Sequence, residues 1–481
     1  MATTTGAAAI PAPAALAALA ALAHELGGDL LQLGPGLDPG RHAKDSALAT
    51  PADVAPLAIA RPLEVAQVSR ILATCDAHRI PVVPQGGLTG LAGGGVPLAP
   101  ALLLSLERLR RIEAIDAAAG TMTVQAGATL AEVQAAADAA GLFFPLDLGG
   151  RSAQVGGNAA TNAGGHRVLR FGMMRALVLG LEAVLADGTV LSSLGKVLKD
   201  NAGYDLKQLF IGSEGTLGVI TRLVLRLQPK PASQATALCA ARSYAEGLAL
   251  LQRLRTGLGG RLSAFEVMWP AFYHLATNLA GREPPLAGGH GLYVLVEALG
   301  QEPEHDAALF ESTIAAALAD GTIEDAVVAQ SGPQARALWE IREGSGAFRR
   351  HHWPQLPFDV SFAPGEIGAF VEDCDARLKA RWPRAKVLYL GHAADGNLHV
   401  SIKLDEHAGS AREMDDVVYA AVRDRGGSVS GEHGIGACKR DYLGHTRSTA
   451  EIQVMRRLKA ALDPNGILNP GKVLPDEPAR A

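Results

Sequence analysis

Short apolar segments alternate with alanine-rich segments from Val54 to about Lys230, and this alternation limits the fold more than any other feature of the chain. Alternation of this kind, with Gly and Pro between the segments, is typical of α/β or α+β proteins. Within it, the pattern VLGLEAVLADGTVL at 178–191 predicts a β-hairpin that turns at Asp187-Gly188. Because 481 residues are too many for one simple core, we expect two or three domains.

Two glycine-rich segments of this half are typical of loops that lie against a phosphate-bearing ligand. The first, QGGLTGL at 85–91, follows the apolar segment IPVVP, which predicts a buried strand. Glycine N–H groups can approach a phosphate closely because no Cβ intervenes. The second segment, at 145–165, is rich in Gly, Asn, Ser and Thr and poor in charge, which suits a large planar ligand. The first loop matches neither GxGxxG nor a Walker loop, so a plain turn stays an alternative interpretation.

Two short segments near the C-terminal end, GHAADGNLH and GEHGIG, hold three histidines and a glutamate. His392 and His399 flank a turn-forming stretch, so a hairpin there would bring both imidazoles to one point. Glu432 would supply an oxygen ligand from the second segment, and His433 beside it would be free to act as a base. Two imidazoles and one carboxylate leave coordination positions open, as in catalytic metal sites. The alternative is a set of polar loop residues that cap a sheet.

The composition is that of a soluble globular enzyme, with 48% hydrophobic and 19% charged residues. A net charge of −5 and the lack of a strongly basic stretch argue against a nucleic-acid partner. The four cysteines are scattered without CxxC spacing, which predicts no disulfide framework and a reducing compartment, the cytoplasm. The apolar run from Ala14 to Ala23 has no Lys or Arg before it and ends at His24, so it predicts a helix rather than a signal peptide or a membrane span.

Several longer motifs carry a resemblance to a known family. They are PQGGLTG, VGGNAATNAGG, RFGMMRALVLGLEAVLADG, GYDLKQLFIGSEGTLGVIT and LDPNGILNPGK. Together they resemble the FAD-linked oxidases of the vanillyl-alcohol oxidase superfamily, over the chain from about Pro51 to Val473. The segments GHAADGNLH and GEHGIG resemble the D-2-hydroxyacid dehydrogenase branch, which includes D-2-hydroxyglutarate dehydrogenases, D-lactate dehydrogenases and the glycolate oxidase flavin subunit.

The resemblance implies an α+β fold with a two-part PCMH-type FAD-binding domain and an α/β cap domain of the FAD-linked oxidase C-terminal type. We expect a helical segment at 1–50, the FAD-binding domain at 51–230, the cap with the substrate and metal sites at 231–465, and a segment at 466–481 that returns to the FAD. In the cap, the residues considered for the flavin face are Phe265, Glu266, Trp269 and Tyr293, although core packing explains the aromatic ones as well.

The same resemblance assigns the cofactor site. The FAD pyrophosphate would be wrapped by Gln85, Gly86, Gly87, Leu88, Thr89, Gly90 and Leu91. The flavin would be lined by Asp147, Ser152, Gly156, Gly157, Asn158, Thr161 and Gly165, the adenine side would contact Gly215, Val219 and Ile220, and Asn469 with Lys472 would return the C-terminus to the cofactor. Members that hold FAD covalently often have a histidine in the first loop, and Leu88 in that neighbourhood predicts non-covalent FAD.

The resemblance also implies roles at the metal and substrate sites. In the hydroxyglutarate branch the residues that match His392, His399 and Glu432 bind Zn²⁺, and the residue that matches His433 is the base. Arg342 matches the family's substrate-binding arginine, which at a helix start would hold the substrate carboxylate. His392 and Ser401 complete the predicted substrate site. The pocket departs from the hydroxyglutarate enzymes at Gly346, Pro357 and Ser401, and the residues considered as replacements for the distal-carboxylate grip are Ser345, Arg349, Arg350 and His351.

The activity implied is FAD-dependent oxidation of a (R)-2-hydroxy acid, of the D-2-hydroxyglutarate or D-lactate type, to the 2-keto acid. The metal would stabilise the developing alkoxide, His433 would take the hydroxyl proton, and the hydride would pass to flavin N5. The electron acceptor would be an electron-transfer flavoprotein or a quinone, without integral membrane contact, and a homodimer is one oligomeric state that we consider. Two alternatives stay open: a metal-independent flavin oxidase of another alcohol, and the flavin subunit of a glycolate-oxidase-like complex.

Overall fold

The computed structural model describes residues 13–33, 37, 39–281, 283–344, 352, 354–404 and 409–476. Gly346 and the four residues considered for the distal-carboxylate grip, Ser345, Arg349, Arg350 and His351, lie outside the described residues. The strands are β1 (Leu31–Leu33), β2 (Ala58–Ala60), β3 (Val82–Gln85), β4 (Leu102–Ser105), β5 (Ile112–Asp116), β6 (Thr121–Gln125), β7 (Leu142–Phe143), β8 (Val178–Val184), β9 (Val190–Ser193), β10 (Val219–Arg226), β11 (Gln228–Pro229), β12 (Ser233–Ala241), β13 (Leu262–Met268), β14 (Leu292–Gly300), β15 (Asp325–Val328), β16 (Gln355–Ser361), β17 (Val387–Gly391) and β18 (Asn397–Lys403).

The helices are α1 (Pro13–Leu26), α2 (Val65–Ala77), α3 (Leu130–Ala139), α4 (Val155–Ala160), α5 (Val168–Phe171), α6 (Met174–Leu177), α7 (Lys207–Phe210), α8 (Tyr244–Leu258), α9 (Pro270–Ala280), α10 (Pro303–Ala319), α11 (Gly332–Glu343), α12 (Ile367–Arg381), α13 (Ala411–Asp424) and α14 (Thr449–Leu462). Helix α1 coincides with the helix predicted for the apolar N-terminal run. Among the described residues no helix combines the length and the apolar character needed to cross a membrane.

The first half of the chain folds into two larger sheets that share one apolar core, and β7 and β11 form a separate two-stranded sheet. One sheet has the order β1-β2-β4-β3, in which β2, β4 and β3 run parallel. Strand β4 is buried on both faces, which is why its residues Leu102 to Leu104 form an apolar run rather than an alternating pattern. The other sheet is antiparallel, with the order β5-β6-β10-β8-β9. The hairpin predicted at 178–191 is confirmed as β8 and β9.

The second half forms an antiparallel sheet of seven strands with helices on both faces, in the order β15-β12-β14-β13-β17-β18-β16. Successive side chains of a strand point to opposite faces. On one face Val267 of β13 packs in a core that includes residues of α8, α10, α12 and α13. On the other face Met268 packs with residues of α9 and α11. Both faces are therefore buried, so any polar side chain on either face requires a partner.

The C-terminal segment crosses back to the first half after α14. Leu468 pairs with Val82 in a parallel bridge, and the Asn469 N–H donates to the Val82 carbonyl at 2.8 Å. The last described residues thus lie against the first sheet, next to the loop that follows β3. The four cysteines form no disulfide in the described structure, as their spacing predicts.

Candidate functional site

One face of the seven-stranded sheet collects polar side chains where β13, β17, β18 and β16 run side by side. Leu390 of β17 pairs with His399 of β18, so their side chains share a face, and His392, two residues after Leu390, continues on it. The two imidazole rings lie 5.3 Å apart between centroids, at an angle of 85°. The hairpin predicted between these histidines is confirmed as β17 and β18.

Glu432 completes a cluster with these two histidines, and we call His392, His399 and Glu432 the His-Glu cluster. Its Oε1 lies 3.8 Å from His392 Nε2 and 3.7 Å from His399 Nε2. Its other oxygen, Oε2, accepts the Gly165 N–H at 2.6 Å, which fixes the carboxylate. Three ligand atoms from two separate segments therefore face one point, and they could hold a divalent cation with open coordination positions.

Two other carboxylates lie close to these histidines, but their oxygens are already engaged. Glu266 accepts from His392 Nδ1 at 2.6 Å and from Arg342 Nε at 2.7 Å. Because Glu266 holds Nδ1, the Nε2 atom of His392 is directed to the cluster, an arrangement that orients metal-ligating histidines in many proteins. Arg342 lies in the last turn of α11, so the expectation of a helix start is wrong: Gly332 to Glu343 forms an uninterrupted helix that begins ten residues earlier.

Asp359 is the second engaged carboxylate, and it holds the segment that carries Glu432 and His433. Its Oδ2 accepts the backbone N–H groups of Gly431, Glu432 and His433 at 2.8 to 3.0 Å, and Lys439 Nζ lies 3.4 Å away. Asp359 is fully buried. A Cβ at Gly431 would collide with the Asn397 amide, so only glycine lets the segment come this close.

Electrostatics keep two members of the His-Glu cluster, Glu432 and His399, in protonation forms that suit a cation. Burial raises the pKa of Glu432, but His392 and His399 bring it well below its ordinary value. Burial lowers the pKa of His399 to about 3. Burial also lowers the pKa of His392, yet the Glu266 and Glu432 carboxylates raise it to about 10 overall. A carboxylate and a neutral imidazole are metal-binding forms, whereas His392, held in the charged form by the two carboxylates, would have to lose a proton when a cation binds.

A cavity with about 960 Å³ of empty space, including the solvent at its mouth, lies beside the cluster in the first half of the chain. The predicted cofactor residues that line it are Gln85, Gly86, Gly87, Leu88, Thr89, Gly90, Gly156, Gly157, Asn158, Thr161, Gly215, Val219 and Ile220. His433 lines the same cavity. We call it the glycine-lined cavity. Its walls also hold Gln154 Oε1 and Asn158 Nδ2, which are buried without a hydrogen-bond partner in the described part of the chain, so a polar ligand fits there.

The other predicted cofactor residues lie outside the lining of this cavity. Leu91 and Ser152 are exposed, Asp147 pairs with Arg167 at 2.8 Å, and Gly165 faces Glu432 instead. Asn469 Nδ2 donates to the carbonyls of Gly94 and Glu214, and Lys472 Nζ donates to the Val96 carbonyl at 2.6 Å. These two C-terminal residues therefore bind backbone carbonyls of the loops around the cavity without lining it.

His433 lies between the cavity and the cluster. Its Nδ1 is 3.8 Å from Asp359 Oδ2 and its Nε2 is 4.0 Å from Glu432 Oε1. Its ring stacks on that of His399, with centroids 5.6 Å apart. Ser401, two residues beyond His399 in β18, donates to Gln355 Oε1 at 2.6 Å. The side chains predicted for metal and base thus lie around one point, and Arg342 is joined to them through Glu266.

Three residues of this region had no assigned role in the sequence analysis. Asp359 and Glu214 support the GEHGIG segment, and His166 packs its ring 4.9 Å from Trp339 and 5.3 Å from His392. Asp359 lies in a short strand with apolar neighbours, where a lone acid is unusual enough to have been a signal. No comparable signal marks His166, because its segment resembles an ordinary glycine-rich loop.

Glu214 links the glycine-lined cavity to the segment of Glu432, and its replacement by Gln is expected to destabilise the protein. Its carboxylate accepts the N–H groups of Ile435 and Gly436 at 2.7 and 2.8 Å. An amide can accept only one of these two bonds, so we expect a loss of about 1–3 kcal/mol in the free energy of unfolding. Urea unfolding of Glu214→Gln beside the exposed control Glu304→Gln tests this, and equal midpoints would contradict it.

The chain matches two family models, the FAD linked oxidases, C-terminal domain, at residues 230–473, and an FAD binding domain at residues 56–193. It is 39% identical over 417 residues to the mitochondrial D-2-hydroxyglutarate dehydrogenase of Arabidopsis thaliana, a match that covers 86% of this chain and 74% of that protein. It is 38% identical over 427 residues to the D-2-hydroxyglutarate dehydrogenase of Xanthomonas citri pv. viticola, covering 87% and 89%. The solved structure of p-cresol methylhydroxylase shares the fold, with a TM-score of 0.76 at 16% identity over 96% of this chain and 97% of that chain. The predicted α+β fold, an FAD-binding domain with a cap, is confirmed.

Proposed function

The chain belongs to the FAD-linked oxidases, with D-2-hydroxyglutarate dehydrogenases among its relatives, and on this premise we propose that it oxidises a (R)-2-hydroxy acid to the 2-keto acid. One observation carries this proposal. The His-Glu cluster converges beside the glycine-lined cavity, with His433 between them. A hydroxy acid bound there would meet a cation site, a proton acceptor and an electron acceptor in one pocket.

FAD binds in the glycine-lined cavity, held by the glycine loop from Gln85 to Gly90 and by the unpartnered polar atoms of Gln154 and Asn158. When bound, it supplies the acceptor for the two electrons of the alcohol oxidation. No histidine occurs in the glycine loop, where Leu88 stands, and this supports non-covalent attachment. The test is release of FAD into the supernatant when the purified protein is denatured.

The His-Glu cluster binds a divalent metal, for which Zn²⁺ is our first choice because two imidazoles and a carboxylate are ligands that it accepts. When bound, such a metal makes a coordinated hydroxyl more acidic. Glu266 keeps the His392 ring turned so that Nε2 faces the cluster, and Gly165 does the same for the Glu432 carboxylate. The chain thus fixes two of the three ligands before any cation arrives.

His433 accepts the proton of the substrate hydroxyl at Nε2, because its Nδ1 side faces the Asp359 carboxylate. Arg342 binds the substrate's 1-carboxylate. Its Nε donates to Glu266 and its Nη2 lies 2.6 Å from the same carboxylate, so Nη1 is the guanidinium nitrogen left for the substrate. The C2 hydrogen leaves with the two electrons to FAD, and the hydroxyl oxygen becomes the keto oxygen.

Ser401 and Pro357 face each other across β16 and β18, and the length of the substrate depends on this part of the pocket. Ser401 Oγ donates its hydrogen to Gln355 Oε1, so it offers neither a donor nor a positive charge to a second carboxylate. Both D-2-hydroxyglutarate and D-lactate therefore stay candidate substrates. The names of the relatives favour D-2-hydroxyglutarate, and the altered pocket favours D-lactate.

Anaerobic reduction of the bound flavin tests the proposed function directly. Loss of the flavin absorbance is expected with one or more of (R)-2-hydroxyglutarate, D-lactate, D-malate and glycolate. Prior chelation is expected to abolish it, and added Zn²⁺ or Mn²⁺ to restore it, because the cluster then lacks its cation. Full activity of exhaustively chelated, metal-free protein would instead support the metal-independent oxidase, and no reduction by any of the four acids would contradict the proposal.

Three further predictions concern the surroundings of the enzyme. The acceptor is an electron-transfer flavoprotein or a quinone, so reduced enzyme is expected to reoxidise slowly in air. Turnover by the purified single chain, for which a homodimer is one oligomeric state that we consider, would exclude the glycolate-oxidase-like subunit. A cytoplasmic location stays a prediction from the unpaired cysteines, and the plant relative is named as a mitochondrial protein, so fractionation of the source cells is the test.

A further inference from the structure

A second cavity lies between the two halves of the chain, away from the glycine-lined cavity. It has about 980 Å³ of empty space, including the solvent at its mouth. Its walls come from α5 and the end of β10 in the first half, and from the end of α8 and the start of β13 in the second. None of its lining residues lines the glycine-lined cavity or belongs to the His-Glu cluster. The charged side chains in its lining are those of Arg170, Arg226 and Arg255, so we call it the arginine cavity.

None of these three arginines forms an ion pair with a carboxylate that the structure describes. Arg170 Nη1 donates to the Leu299 carbonyl at 2.6 Å, and Arg255 Nη2 donates to the Ala394 carbonyl at 3.1 Å. Carbonyl oxygens fix the direction of a guanidinium, but they do not neutralise its charge. The three cations therefore face one cavity without a close ion pair to a described carboxylate, although Glu297 and Asp306 act on the charge of Arg170 from farther away.

The neighbouring arginines, unlike the three in the arginine cavity, do form ion pairs with carboxylates. Arg167 pairs with Glu297 at 2.9 Å and with Asp147 at 2.8 Å. Arg261 pairs with Asp306 at 2.5 Å. The acidic residues of this region are thus used by other partners, although the protein as a whole carries a net charge of −5. A cavity lined by one sign of charge concentrates ions of the opposite sign.

We propose that the arginine cavity binds a small polyanion, either inorganic phosphate or a di- or tricarboxylate. Guanidinium groups match the planar geometry of carboxylates and the oxygens of phosphate, and they bind both through paired N–H groups. Three of them, presented by α5, β10 and α8, suit a ligand with more than one negative charge. The side chains of Leu169, Phe171 and Leu262 give the cavity an apolar wall, which suits the carbon chain of a polycarboxylate.

Isothermal titration of FAD-loaded, metal-loaded protein with inorganic phosphate and with tricarballylate tests this site. Loaded protein is used so that the pyrophosphate loop is filled, and tricarballylate is chosen because it has no hydroxyl to oxidise. We expect saturable binding of at least one of them at about millimolar concentration. The variant Arg226→Gln/Arg255→Gln is expected to weaken that binding about tenfold or more, since two of the three guanidinium groups are lost.

The control variant Arg110→Gln/Arg457→Gln removes the same net charge from exposed positions elsewhere, and it is expected to bind like the unchanged protein. Equal weakening in both double variants would mean a general charge effect and would overturn the proposal. Undiminished binding by Arg226→Gln/Arg255→Gln would mean that the anion binds at another site, and it would overturn the proposal. If neither anion binds, the proposal is overturned. Binding of an acidic peptide in that case would indicate that the arginine cavity recognises a protein partner instead of a small ligand.

Discussion

The variant Asp359→Asn is expected to lose about 3–5 kcal/mol of unfolding free energy and most of its metal binding. Asp359 is a fully buried carboxylate that accepts three backbone N–H groups and faces Lys439 Nζ at 3.4 Å. An asparagine would leave the buried Lys439 cation unpaired, a change that costs this much in other buried pairs. The segment with Glu432 would loosen, and we expect metal affinity to fall about 10- to 100-fold. Urea unfolding and metal titration are the measurements.

The matched control is Asp373→Asn, which removes an aspartate from a partly exposed pair with Arg377. Such pairs contribute about 0–1 kcal/mol, so its midpoint is expected to stay near that of the unchanged protein. The double variant Asp359→Asn/Lys439→Met removes both charges and is expected to regain part of the lost stability. If Asp359→Asn unfolds and binds metal like Asp373→Asn, the carboxylate does not hold the segment.

The same residue predicts a dependence of stability on pH. Burial raises the pKa of Asp359, but His433 and Lys439 outweigh it and bring the pKa well below its ordinary value of 3.8. A carboxyl with a lowered pKa in the folded state stabilises the fold above its ordinary pKa, and this contribution disappears as the pH falls toward the lowered value. Stability of the unchanged protein should therefore decline below about pH 4, and Asp359→Asn should show a smaller decline.

The variant His433→Asn is expected to slow substrate-driven reduction of the flavin about 100- to 10,000-fold, the usual contribution of a general base. FAD and metal contents are expected to stay unchanged. His433 lines the glycine-lined cavity among many other residues, and its Nε2 is 4.0 Å from Glu432 Oε1 without belonging to the His-Glu cluster. Anaerobic stopped-flow absorbance gives the rate, and metal analysis with the flavin spectrum gives the contents.

The control for this variant is His24→Asn, which changes a histidine in α1 far along the chain from the site. It is expected to reduce its flavin at the rate of the unchanged protein. Added imidazole is expected to restore part of the rate in His433→Asn, which a purely structural role would not allow. An unchanged reduction rate in His433→Asn would remove this residue from the proton transfer.

Local sequence patterns anticipated the parts of the site that depend on backbone conformation. The loop from Gln85 to Gly90 lines the cavity as the glycine content indicated, and the hairpin around His392 and His399 follows from its turn residues. Leu91 and Lys472 were assigned to the cofactor from the same motifs, but they lie outside the cavity lining. Motif spacing gives the neighbourhood of a residue and not the direction of its side chain.

Local sequence patterns do not predict the hydrogen-bond partners of the site residues. Glu266 belongs to an apolar strand, and the sequence analysis placed it among residues facing the flavin. It instead bridges His392 and Arg342, which are 126 and 76 residues away along the chain. Asp359 is an unusual acid in an apolar strand, but no local pattern indicates that it receives the N–H groups of a segment more than 70 residues later.

By itself the sequence determined the fold class, the glycine loops, the hairpins and the segments that carry the residues predicted for metal, base and substrate. These are properties of neighbouring residues, because periodicity, turn chemistry and positive φ act over a few positions. Only the tertiary structure decided which carboxylate stays open to a cation. That choice depends on the register of β13, β16, β17 and β18 and on the docking of the two halves. Among the described residues they leave Glu432 Oε1 without a backbone N–H donor, while Glu266 and Asp359 are engaged. Register and docking are set by packing between residues far apart in the chain, and no local pattern encodes them.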